Sequence, residues 1–581
     1  MQPMAHGAPS GPESASVPTN PLWPTLAVLA LLACSATIVA VHRLVAINPT
    51  SQTAAMAVSA ATASSPAGSS SSSTARATGT RNGEPSMAAN GNNHDDAPPP
   101  RRLTVAFVHP DLGIGGAERL IVDAAVGLQS RGHTVRVFTS HHDSRHCFPE
   151  TSDGTLNVSV HGDWLPRSIA GGMHVLCAWL RNLWLCAYLV VMHVVRPSAR
   201  PDVYFVDQIS VGVPLLKWTG ARVLFYCHFP DKLLAPRKSK LKAVYRVPFD
   251  WIEEKTTAMA DEIVVNSKFT RAVFHQSFPS IRHVPAVVYP GVPEPAAAAS
   301  PASSKGPTSA GMPLIFPPKT RILLSINRFE RKKNVKLALD AFARVAPKNA
   351  VLVLAGGFDP RVPENKATLE SLIRHADVLG LEHETHALAT RRATTSPPSI
   401  SPSTRLVFLP SVPEPAKQSL LAHAAALLYT PAYEHFGIVP VEAMYSGVPV
   451  VALGNGGPAE SVAHRVTGYL CATTAQQRAS TLDLDAVDLD HMVRKVHGAG
   501  DEQEGKELVA AFAQGVEWVL GLAPDQRRSV ARAARARAHD CFSMEAFLDG
   551  VDSALMACMA GARVPERQVG EGRSGKGGKM D

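Results

Sequence analysis

The chain has 581 residues, of which 45% are hydrophobic and 18% charged, and its formal net charge is +8. This length exceeds one ordinary domain, and the apolar content is enough for sizeable cores. No helix or aromatic strip gathers the basic residues for base contacts, which argues against nucleic acid as a partner. The charge instead fits a solvated surface with some attraction for anionic membranes.

The eight cysteines form no Cys-x-x-Cys pair and have no metal-ligand spacing. Several lie in apolar runs, where a free cysteine behaves as a small hydrophobe. This usage fits a reducing compartment and gives no sign of a disulfide framework.

An uncharged apolar segment runs from Leu22 to Val41. A helix needs about twenty such residues to cross a bilayer, so the segment predicts a transmembrane anchor. The residues before it contain no Lys or Arg, whereas Arg43, Arg76 and Arg81 follow, which places the large C-terminal portion in the cytosol. A cleaved signal peptide is the alternative, and we favour the anchor because the segment has no basic start and its apolar run is long.

Stretches rich in Ala, Ser, Thr, Gly and Pro divide the rest of the chain, because such stretches cannot bury a core. The predicted division is an N-terminal tail and anchor at 1–47, a disordered linker at 48–100, a first folded domain at 101–293, a low-complexity linker at 294–312, a second domain at 313–560 with a surface insertion at 386–404, and a disordered tail at 561–581.

Both halves alternate short apolar strands with helices. In the first half, a buried-strand pattern at 103–108 precedes a helical run at 117–129 and a strand at 134–139, with further strands near 203–206, 222–226 and 262–266. Strand, helix and strand within about forty residues form a βαβ unit of a parallel sheet.

The second half repeats this order. Its predicted strands are 321–326, 350–355, 406–409, 426–429 and 449–453, and its predicted helices are 336–345, 417–425 and 439–445. The predicted fold class is therefore α/β, with two Rossmann-like, doubly wound domains that face a ligand cleft at the carboxyl ends of their strands.

The segment 169–195 is apolar nearly all round. A second membrane span is one interpretation. We favour a buried or membrane-surface helix, because Arg181 and Asn182 fall in its middle and such residues are costly in hydrocarbon.

Two segments suit a diphosphate. Gly115 and Gly116, within Gly-Ile-Gly-Gly-Ala-Glu, follow a strand and open a helix, so backbone N–H groups face the cleft. Glu118 occupies the place of the third glycine of a dinucleotide fingerprint, and a tight turn that merely needs glycine is the alternative. Past a strand of the second half, Arg328 and Lys333 belong to the basic segment Asn-Arg-Phe-Glu-Arg-Lys-Lys-Asn, whose cations bind phosphates well.

A pair of carboxylates is the most informative pattern. Glu434 and Glu442 have seven residues between them, in Glu-His-Phe-Gly-Ile-Val-Pro-Val-Glu. A carboxylate accepts two hydroxyl hydrogen bonds, so each of them suits a vicinal diol of a sugar or ribose. Gly437 lets the backbone approach a ligand closely.

Two further segments end strands. Gly457 belongs to Gly-Asn-Gly-Gly-Pro-Ala-Glu, a second turn between a strand and a helix that suits an anion. His228, in Tyr-Cys-His-Phe-Pro, ends a strand of the first half. A lone histidine is usually structural, but one at this edge of a sheet faces the predicted cleft.

With these segments in order, residues 103–542 resemble the retaining GT-B glycosyltransferases. More narrowly, VHPDLGIGGAERLIVDAA, FYCHFPDKLLAPR, SINRFERKKN and PAYEHFGIVPVEAMYSGVPVVA resemble the mannosyltransferases of dolichol-linked oligosaccharide synthesis. That family transfers mannose from GDP-mannose to Man1GlcNAc2-PP-dolichol and then to Man2GlcNAc2-PP-dolichol, in α-1,3 and α-1,6 linkages. The resemblance implies the cytosolic face of the endoplasmic reticulum membrane as the location. It implies the dolichol-linked oligosaccharide, membrane lipid and other glycosyltransferases of the pathway as candidate partners.

The resemblance also assigns roles. Arg328 and Lys333 would bind the diphosphate and stabilise the departing GDP, with Lys332 as an alternative because three basic residues adjoin. Glu442 would hold the ribose, and Glu434 the transferred sugar. The remaining site residues would be Phe436, Gly437 and Gly457 on the donor side, Gly115 and Gly116 at the diphosphate, and His228 at the acceptor near the anomeric carbon.

No cofactor or metal is expected, because two fixed cations can stabilise a departing diphosphate. The Asp-x-Asp triplets at 483–485 and 488–490 lie in one acidic stretch with no strand before it, which is typical of a solvated face. Retention without an enzymic nucleophile implies front-face attack, as the family resemblance has it. Two alternatives stay open: a related transferase with another sugar nucleotide or lipid acceptor, and a catalytically silent, membrane-tethered protein that binds sugar nucleotides.

Overall fold

The computed structural model describes residues 101–169, 171–234, 240–295, 312–388, 397–472, 489, 492 and 502–562. The predicted anchor at 22–41, the linker at 48–100, most of the linker at 294–312, the middle of the insertion, the Asp-x-Asp triplets and the tail beyond 562 lie outside these residues. The predictions for those segments stay predictions.

The first lobe is built on a seven-stranded sheet in which every neighbouring pair is parallel, in the order β3-β2-β1-β4-β5-β6-β7. Its strands are β1 (Thr104–His109), β2 (Thr134–Thr139), β3 (Val158–Val160), β4 (Val203–Asp207), β5 (Arg222–Cys227), β6 (Glu262–Val265) and β7 (Ala286–Val287). Its helices are α1 (Gly116–Ser130), α2 (His174–Val195), α3 (Val213–Lys217), α4 (Asp231–Leu234), α5 (Lys240–Thr257) and α6 (Lys268–Ser277).

The second lobe repeats this plan, again with parallel neighbours, in the order β10-β11-β9-β8-β12-β13-β14. Its strands are β8 (Arg321–Ile326), β9 (Ala350–Gly356), β10 (His383–Thr385), β11 (Leu406–Pro410), β12 (Ala424–Tyr429), β13 (Val450–Leu453) and β14 (Gly468–Cys471). The helices that follow β8 are α7 (Lys336–Val345), α8 (Pro363–Val378), α9 (Glu414–His423), α10 (Ile438–Tyr445), α11 (Pro458–Ser461), α12 (Glu502–Gly521), α13 (Pro524–Phe542) and α14 (Met544–Ala560).

The strands are nearly continuous apolar runs because helices cover both faces of each sheet. Two hydrophobic clusters line the faces of the first sheet and two line those of the second. The strand order reverses at β1 and β4 in the first lobe and at β8 and β12 in the second. Ligands bind beyond the carboxyl ends of the strands at such points, so the fold predicts where the site lies.

The last helix corrects the predicted domain boundary. Phe547, Val551 and Leu555 of α14 join the core of the first lobe, where the helix contacts α1, β4, β5 and β6, although the sequence division placed 313–560 in one domain. Arg131 at the end of α1 fixes the contact through ion pairs with Asp549 at 2.8 Å and Asp552 at 2.5 Å. The chain therefore returns to its first lobe at residue 544.

The predicted surface insertion at 386–404 is also partly wrong. Leu388, Ile400 and Thr404 at its two ends are buried, and Leu388 and Ile400 join the core of the second lobe. Ile315 pairs with Ser399 in a short parallel bridge, which ties the segment to the start of that lobe. The Ser and Thr content of the segment did not reveal these packed ends.

Helix α2 lies where a buried or membrane-surface helix was predicted. It is the one helix among the described residues that is long and apolar enough to cross a membrane, and half of the residues in its most apolar window are buried. Arg181 and Asn182 are buried against the lobe, and Arg181 donates to the carbonyl oxygen of Ser140 at 3.0 Å. Trp184 and Val191 on the other side of the helix are exposed.

We expect Leu555→Ala to destabilise the protein by about 2–5 kcal/mol, because it removes a fully buried side chain from the contact between α14 and the first sheet. Urea unfolding of the purified full chain measures this change. The exposed Ser553→Ala in the same helix is the matched control, with an expected change within about 0.5 kcal/mol. Equal stability of the two variants would contradict the packing described for α14.

Candidate active site

The centre of the site is an ion pair between two segments of the second lobe. A 3₁₀ turn, Arg331–Lys333, follows β8, and Glu434 lies in the loop after β12. Lys333 Nζ lies 2.5 Å from Glu434 Oε2, and Thr430 Oγ1 donates to the carbonyl oxygen of Lys333 at 2.7 Å. Because β8 and β12 are neighbours, the sheet brings together residues that are 101 positions apart.

The ion pair fixes the charge of Glu434. Burial alone would raise the pKa of this carboxyl group, but the charge of Lys333 and the hydrogen bond from Lys333 outweigh burial and lower the pKa below its usual value. Glu434 is therefore ionised at neutral pH and can accept hydrogen bonds from sugar hydroxyls. Lys333 stays cationic beside it, so the pair presents one positive and one negative group to the cleft.

The three basic residues of this segment have different partners. Lys333 is mostly buried and pairs with Glu434, whereas Lys332 is half exposed and lies 3.3 Å from Glu330. Arg328 also pairs with Glu330, at 2.9 Å, and its side chain is 61% exposed. The geometry favours Lys333 over Lys332 as the fixed cation, and it leaves Arg328 freer to reach a ligand.

Glu442 lies one helix away, on α10, with a partner that the sequence did not reveal. Lys417 Nζ of α9 lies 2.8 Å from Glu442 Oε1 and 2.9 Å from Glu414 Oε2. The other oxygen, Glu442 Oε2, is buried and accepts no hydrogen bond from any residue that the structure describes. A buried acceptor without a donor is costly, and a diol donates the hydrogen bonds that this oxygen lacks.

Two of the predicted donor-side residues are parts of the framework. The ring of Phe436 is buried against Tyr289 and Phe542, so only its backbone remains for a ligand. The amide of Gly457 donates to the carbonyl oxygen of Glu434 at 2.7 Å, and a Cβ at this position would collide with the backbone of Phe436. Gly457 therefore holds the Glu434 loop in place.

Gly437 is needed for its backbone conformation. Its φ of +88° lies in the left-handed region, where residues other than glycine are strained. A Cβ there would also lie 3.5 Å from the Tyr429 hydroxyl oxygen. This turn lets the chain pass from the Glu434 loop into α10, which carries Glu442.

The glycines of the first lobe lie at the start of α1, as predicted. A Cβ added to Gly116 would meet no described atom within 4 Å, so the space beside this residue is open. Gly115 differs, because the Glu118 carboxylate lies over it and would collide with a Cβ at that position. The start of this helix is therefore partly covered by its own acidic side chain.

His228 follows β5 and faces the second lobe. Its Nε2 lies 3.0 Å from Asp207 Oδ2, and Asn266 Nδ2 donates to its carbonyl oxygen at 3.0 Å. Asp207 also lies 2.7 Å from His109 Nδ1. The sequence pointed to His228 but not to Asp207 or His109, because each of those two simply ends an apolar strand.

Contacts between the lobes close the cleft around the Glu434 loop. The ring of Phe229, next to His228, stacks on His435 with centroids 3.9 Å apart, and Ser267 Oγ donates to the carbonyl oxygen of His435 at 2.6 Å. Burial lowers the pKa of His435 to about 4, so this imidazole is neutral where it meets the first lobe.

Glu460 of α11 adds a second contact between the lobes. Its carboxylate accepts from the backbone amides of Lys268 at 2.9 Å and Phe269 at 2.6 Å, which are the first two residues of α6. Tyr289 Oη also donates to it at 2.9 Å. A carboxylate at the positive end of a helix is stabilising, so this contact holds the two strand edges face to face.

Among the described residues, no group of three or more His, Cys, Asp or Glu side chains is placed to hold a metal ion. Lys333 and Arg328 both follow β8, and Arg328 is the less firmly held of these two cations. A lysine and an arginine at this edge of the sheet can neutralise a diphosphate.

Comparison with known proteins agrees with this architecture. The family profile "Glycosyltransferase Family 4" matches residues 114–294, and "Glycosyl transferases group 1" matches residues 313–411 and 399–488. A glycosyltransferase from Rickettsia africae has the same fold, with a TM-score of 0.52 and 15% identity over 78% of this chain and 99% of that one. Anabaena Alr3699/HepE in complex with UDP-glucose gives a TM-score of 0.50 and 18% identity over 78% of this chain and 100% of that one. Two Rossmann-like lobes around such a cleft define a GT-B glycosyltransferase.

Sequence relatives identify the family within this class of glycosyltransferases. The chain is 47% identical to the α-1,3/1,6-mannosyltransferase ALG2 of Rhizomucor pusillus over 436 residues, which are 72% of this chain and 92% of the relative. It is 42% identical to ALG2 of Dictyostelium discoideum, over 66% of this chain and 89% of the relative. It is 44% identical to ALG2 of Saccharomyces cerevisiae, over 63% of this chain and 72% of the relative. The chain belongs to the ALG2 family of α-1,3/1,6-mannosyltransferases.

We expect Lys333→Met to lower kcat/KM for sugar transfer by about 10²–10³-fold, because it removes the fixed cation while keeping the length of the side chain. Lys332→Met is the control in the same turn. It loses only a half-exposed ion pair, so it should cost less than about fivefold. Initial rates at several donor concentrations measure both effects, and a reversed order of the two variants would show that Lys332 is the working cation.

We expect Lys417→Met to raise KM for the donor roughly tenfold with a smaller change in kcat, because ribose contacts are the same in the bound substrate and the transition state. The reason is the loss of the group that holds Glu442 in place. Glu414→Gln changes the other, exposed partner of Lys417 and should leave both constants unchanged. A fall in kcat at constant KM for Lys417→Met would contradict the assignment of Glu442 to donor binding.

Proposed function

We propose that this protein transfers mannose from GDP-mannose to Man1GlcNAc2-PP-dolichol and then to Man2GlcNAc2-PP-dolichol, through an α-1,3 and an α-1,6 linkage. The observation that carries the proposal is the Lys333–Glu434 pair beside the unsatisfied oxygen of Glu442. Together they offer a cation for a diphosphate and two carboxylates for sugar hydroxyls. The membership of the ALG2 family supports mannose as the transferred sugar.

The donor lies along the second lobe in this proposal. Glu442 accepts hydrogen bonds from the ribose hydroxyls, and Lys333 and Arg328 bind the diphosphate. Glu434 accepts hydrogen bonds from mannose hydroxyls. These three kinds of contact supply one group for each part of the donor, namely the ribose, the diphosphate and the sugar.

The reaction breaks the bond between the mannose anomeric carbon and the β-phosphate oxygen of GDP. The acceptor hydroxyl oxygen forms the new bond on the same face, and its proton leaves with the released diphosphate. Negative charge grows on the departing GDP, and Lys333 and Arg328 stabilise it. Preorganised charge of this kind is the largest contribution to many enzymic rate enhancements, and here two side chains supply it.

The acceptor lies on the first lobe, beside His228. A lipid-linked acceptor is supported by the exposed apolar side chains of two helices in this lobe, namely Trp184, Tyr188 and Val191 of α2, and Leu241, Val244 and Trp251 of α5. Monomeric soluble proteins seldom expose large contiguous apolar patches. We place the protein at the endoplasmic reticulum membrane, with both lobes on the cytosolic face and other glycosyltransferases of the pathway nearby.

The purified full chain, incubated with labelled GDP-mannose and Man1GlcNAc2-PP-lipid, should give products with one and two added mannoses, and EDTA should leave the rate unchanged because two side chains supply the positive charge. UDP-glucose and UDP-mannose serve as control donors, and mass spectrometry of the released glycan identifies the product. Transfer from a control donor would contradict the proposed donor. Transfer to a phosphoinositide in preference to Man1GlcNAc2-PP-lipid would contradict the proposed acceptor. Loss of transfer on chelation would contradict the metal-free mechanism alone.

A further inference from the structure

Three polar side chains meet at the carboxyl ends of adjacent strands in the first lobe, on the edge that faces the cleft. His109 ends β1, Asp207 ends β4 and His228 follows β5, and we call them the His109–Asp207–His228 cluster. The two Asp207 oxygens are divided between the histidines, with Oδ1 2.7 Å from His109 Nδ1 and Oδ2 3.0 Å from His228 Nε2. His109 and Asp207 are fully buried, and 18% of the His228 side chain is exposed.

The partners of His109 fix its protonation. Nδ1 lies against a carboxylate oxygen, and Nε2 lies 3.0 Å from the carbonyl oxygen of Asp111. Both partners only accept hydrogen bonds, so both ring nitrogens carry a proton and the ring is an imidazolium. Burial alone would lower the pKa of His109, but the charge and hydrogen bond of Asp207, and the charge of Glu118, raise it. The burial of Asp207 is likewise outweighed by the two histidines, which lower the pKa of its carboxyl group.

The charge balance decides the form of His228. The positive charge of His109 already compensates the carboxylate of Asp207, so His228 is not needed as a second cation. Because Asp207 Oδ2 only accepts, His228 Nε2 must carry the proton. In the neutral ring this leaves a lone pair on Nδ1. The hydrogen bond from Asn266 to the backbone of His228 holds the residue in this position.

The other charged and titratable groups around the cluster come from four elements. Tyr226 of β5 has its ring centroid 4.9 Å from that of His228, and Glu118 of α1 acts on His109. His435, in the loop before α10 of the second lobe, is neutral because burial lowers its pKa to about 4. The Asp111 carboxylate is held 3.0 Å from Arg167, so it is compensated separately.

We propose that Asp207 and protonated His109 are positioning residues, which hold His228 as the neutral tautomer with its proton on Nε2, so that Nδ1 accepts a hydrogen bond from a sugar hydroxyl in the cleft. The inference rests on the proposed function for the identity of that hydroxyl. The cluster fixes the direction in which His228 accepts a hydrogen bond, and it does so before substrate binds.

Nitrogen-15 NMR of the full chain with labelled histidine tests the tautomer without any substrate. At about pH 7.5, the His228 signals, assigned by their loss in His228→Gln, should show a protonated Nε2 and an unprotonated Nδ1. The signals of His109 should show both nitrogens protonated. A His228 ring protonated on Nδ1 or on both nitrogens overturns the inference, whatever substrate the enzyme uses.

Two variants provide a second test, in which the His228 nitrogen-15 signals and kcat are measured together. His109→Gln removes the group that holds Asp207 Oδ1, so the proton of His228 should no longer be confined to Nε2, and kcat should fall. Asp207→Asn removes the carboxylate that accepts from His228 Nε2, so the His228 signals should show a mixture of tautomers, and kcat should fall roughly tenfold or more because the tautomer is no longer fixed.

The control places each substitution in a His228→Gln background, where neither should lower kcat further. Activity losses without a change in the His228 signals would mean that His109 and Asp207 serve only the fold, and would overturn the inference. The wild-type assay with GDP-mannose reports on the proposed function separately, since the NMR result depends on neither donor nor acceptor.

Discussion

The site depends on a partly buried ion pair between two loops of the second lobe. Lys333 and Glu434 lie on loops that follow neighbouring parallel strands, and neither side chain is in open solvent. Losing one partner of such a pair leaves an uncompensated charge, which is far more costly than losing a surface pair. The pair therefore fixes both loops, and with them the positions of the Lys333 ammonium and the Glu434 carboxylate.

The rest of the site is arranged around that pair by neutral contacts. Gly457 and Thr430 donate hydrogen bonds to backbone carbonyl groups of the two loops. His435 joins the Glu434 loop to the first lobe through its contacts with Phe229 and Ser267. Because His435 is neutral, its contact with the first lobe places no charge between the two lobes. His228 lies beside Phe229, so the same contact brings His228 next to the Glu434 loop.

The sequence predicted most of the local structure. Apolar runs of four to seven residues gave most of the strands, since a parallel strand covered on both faces must be apolar throughout. The spacing of Glu434 and Glu442 predicted a carboxylate in a loop and another in the next helix, and the structure has that arrangement.

The sequence could not reveal contacts that depend on the order of the strands within each sheet. Asp207 and His109 look like the last residues of ordinary strands, and only the pairing of β4 with β1 and the neighbouring β5 joins them to His228. Nothing in the sequence distinguishes Lys417 from the other lysines. Only the packing of α9 against α10 brings it next to Glu442. The same limit applies to α14, whose apolar face fits either lobe and whose partner is decided by long-range packing.

The most direct measurement is a structure of the full chain with GDP bound in the cleft. The account predicts a β-phosphate oxygen about 3 Å from Lys333 Nζ, a distance typical of a charge-assisted hydrogen bond, and the ribose hydroxyls on Glu442. A diphosphate bound away from Lys333, with the Lys333–Glu434 pair intact and facing empty solvent, would contradict it.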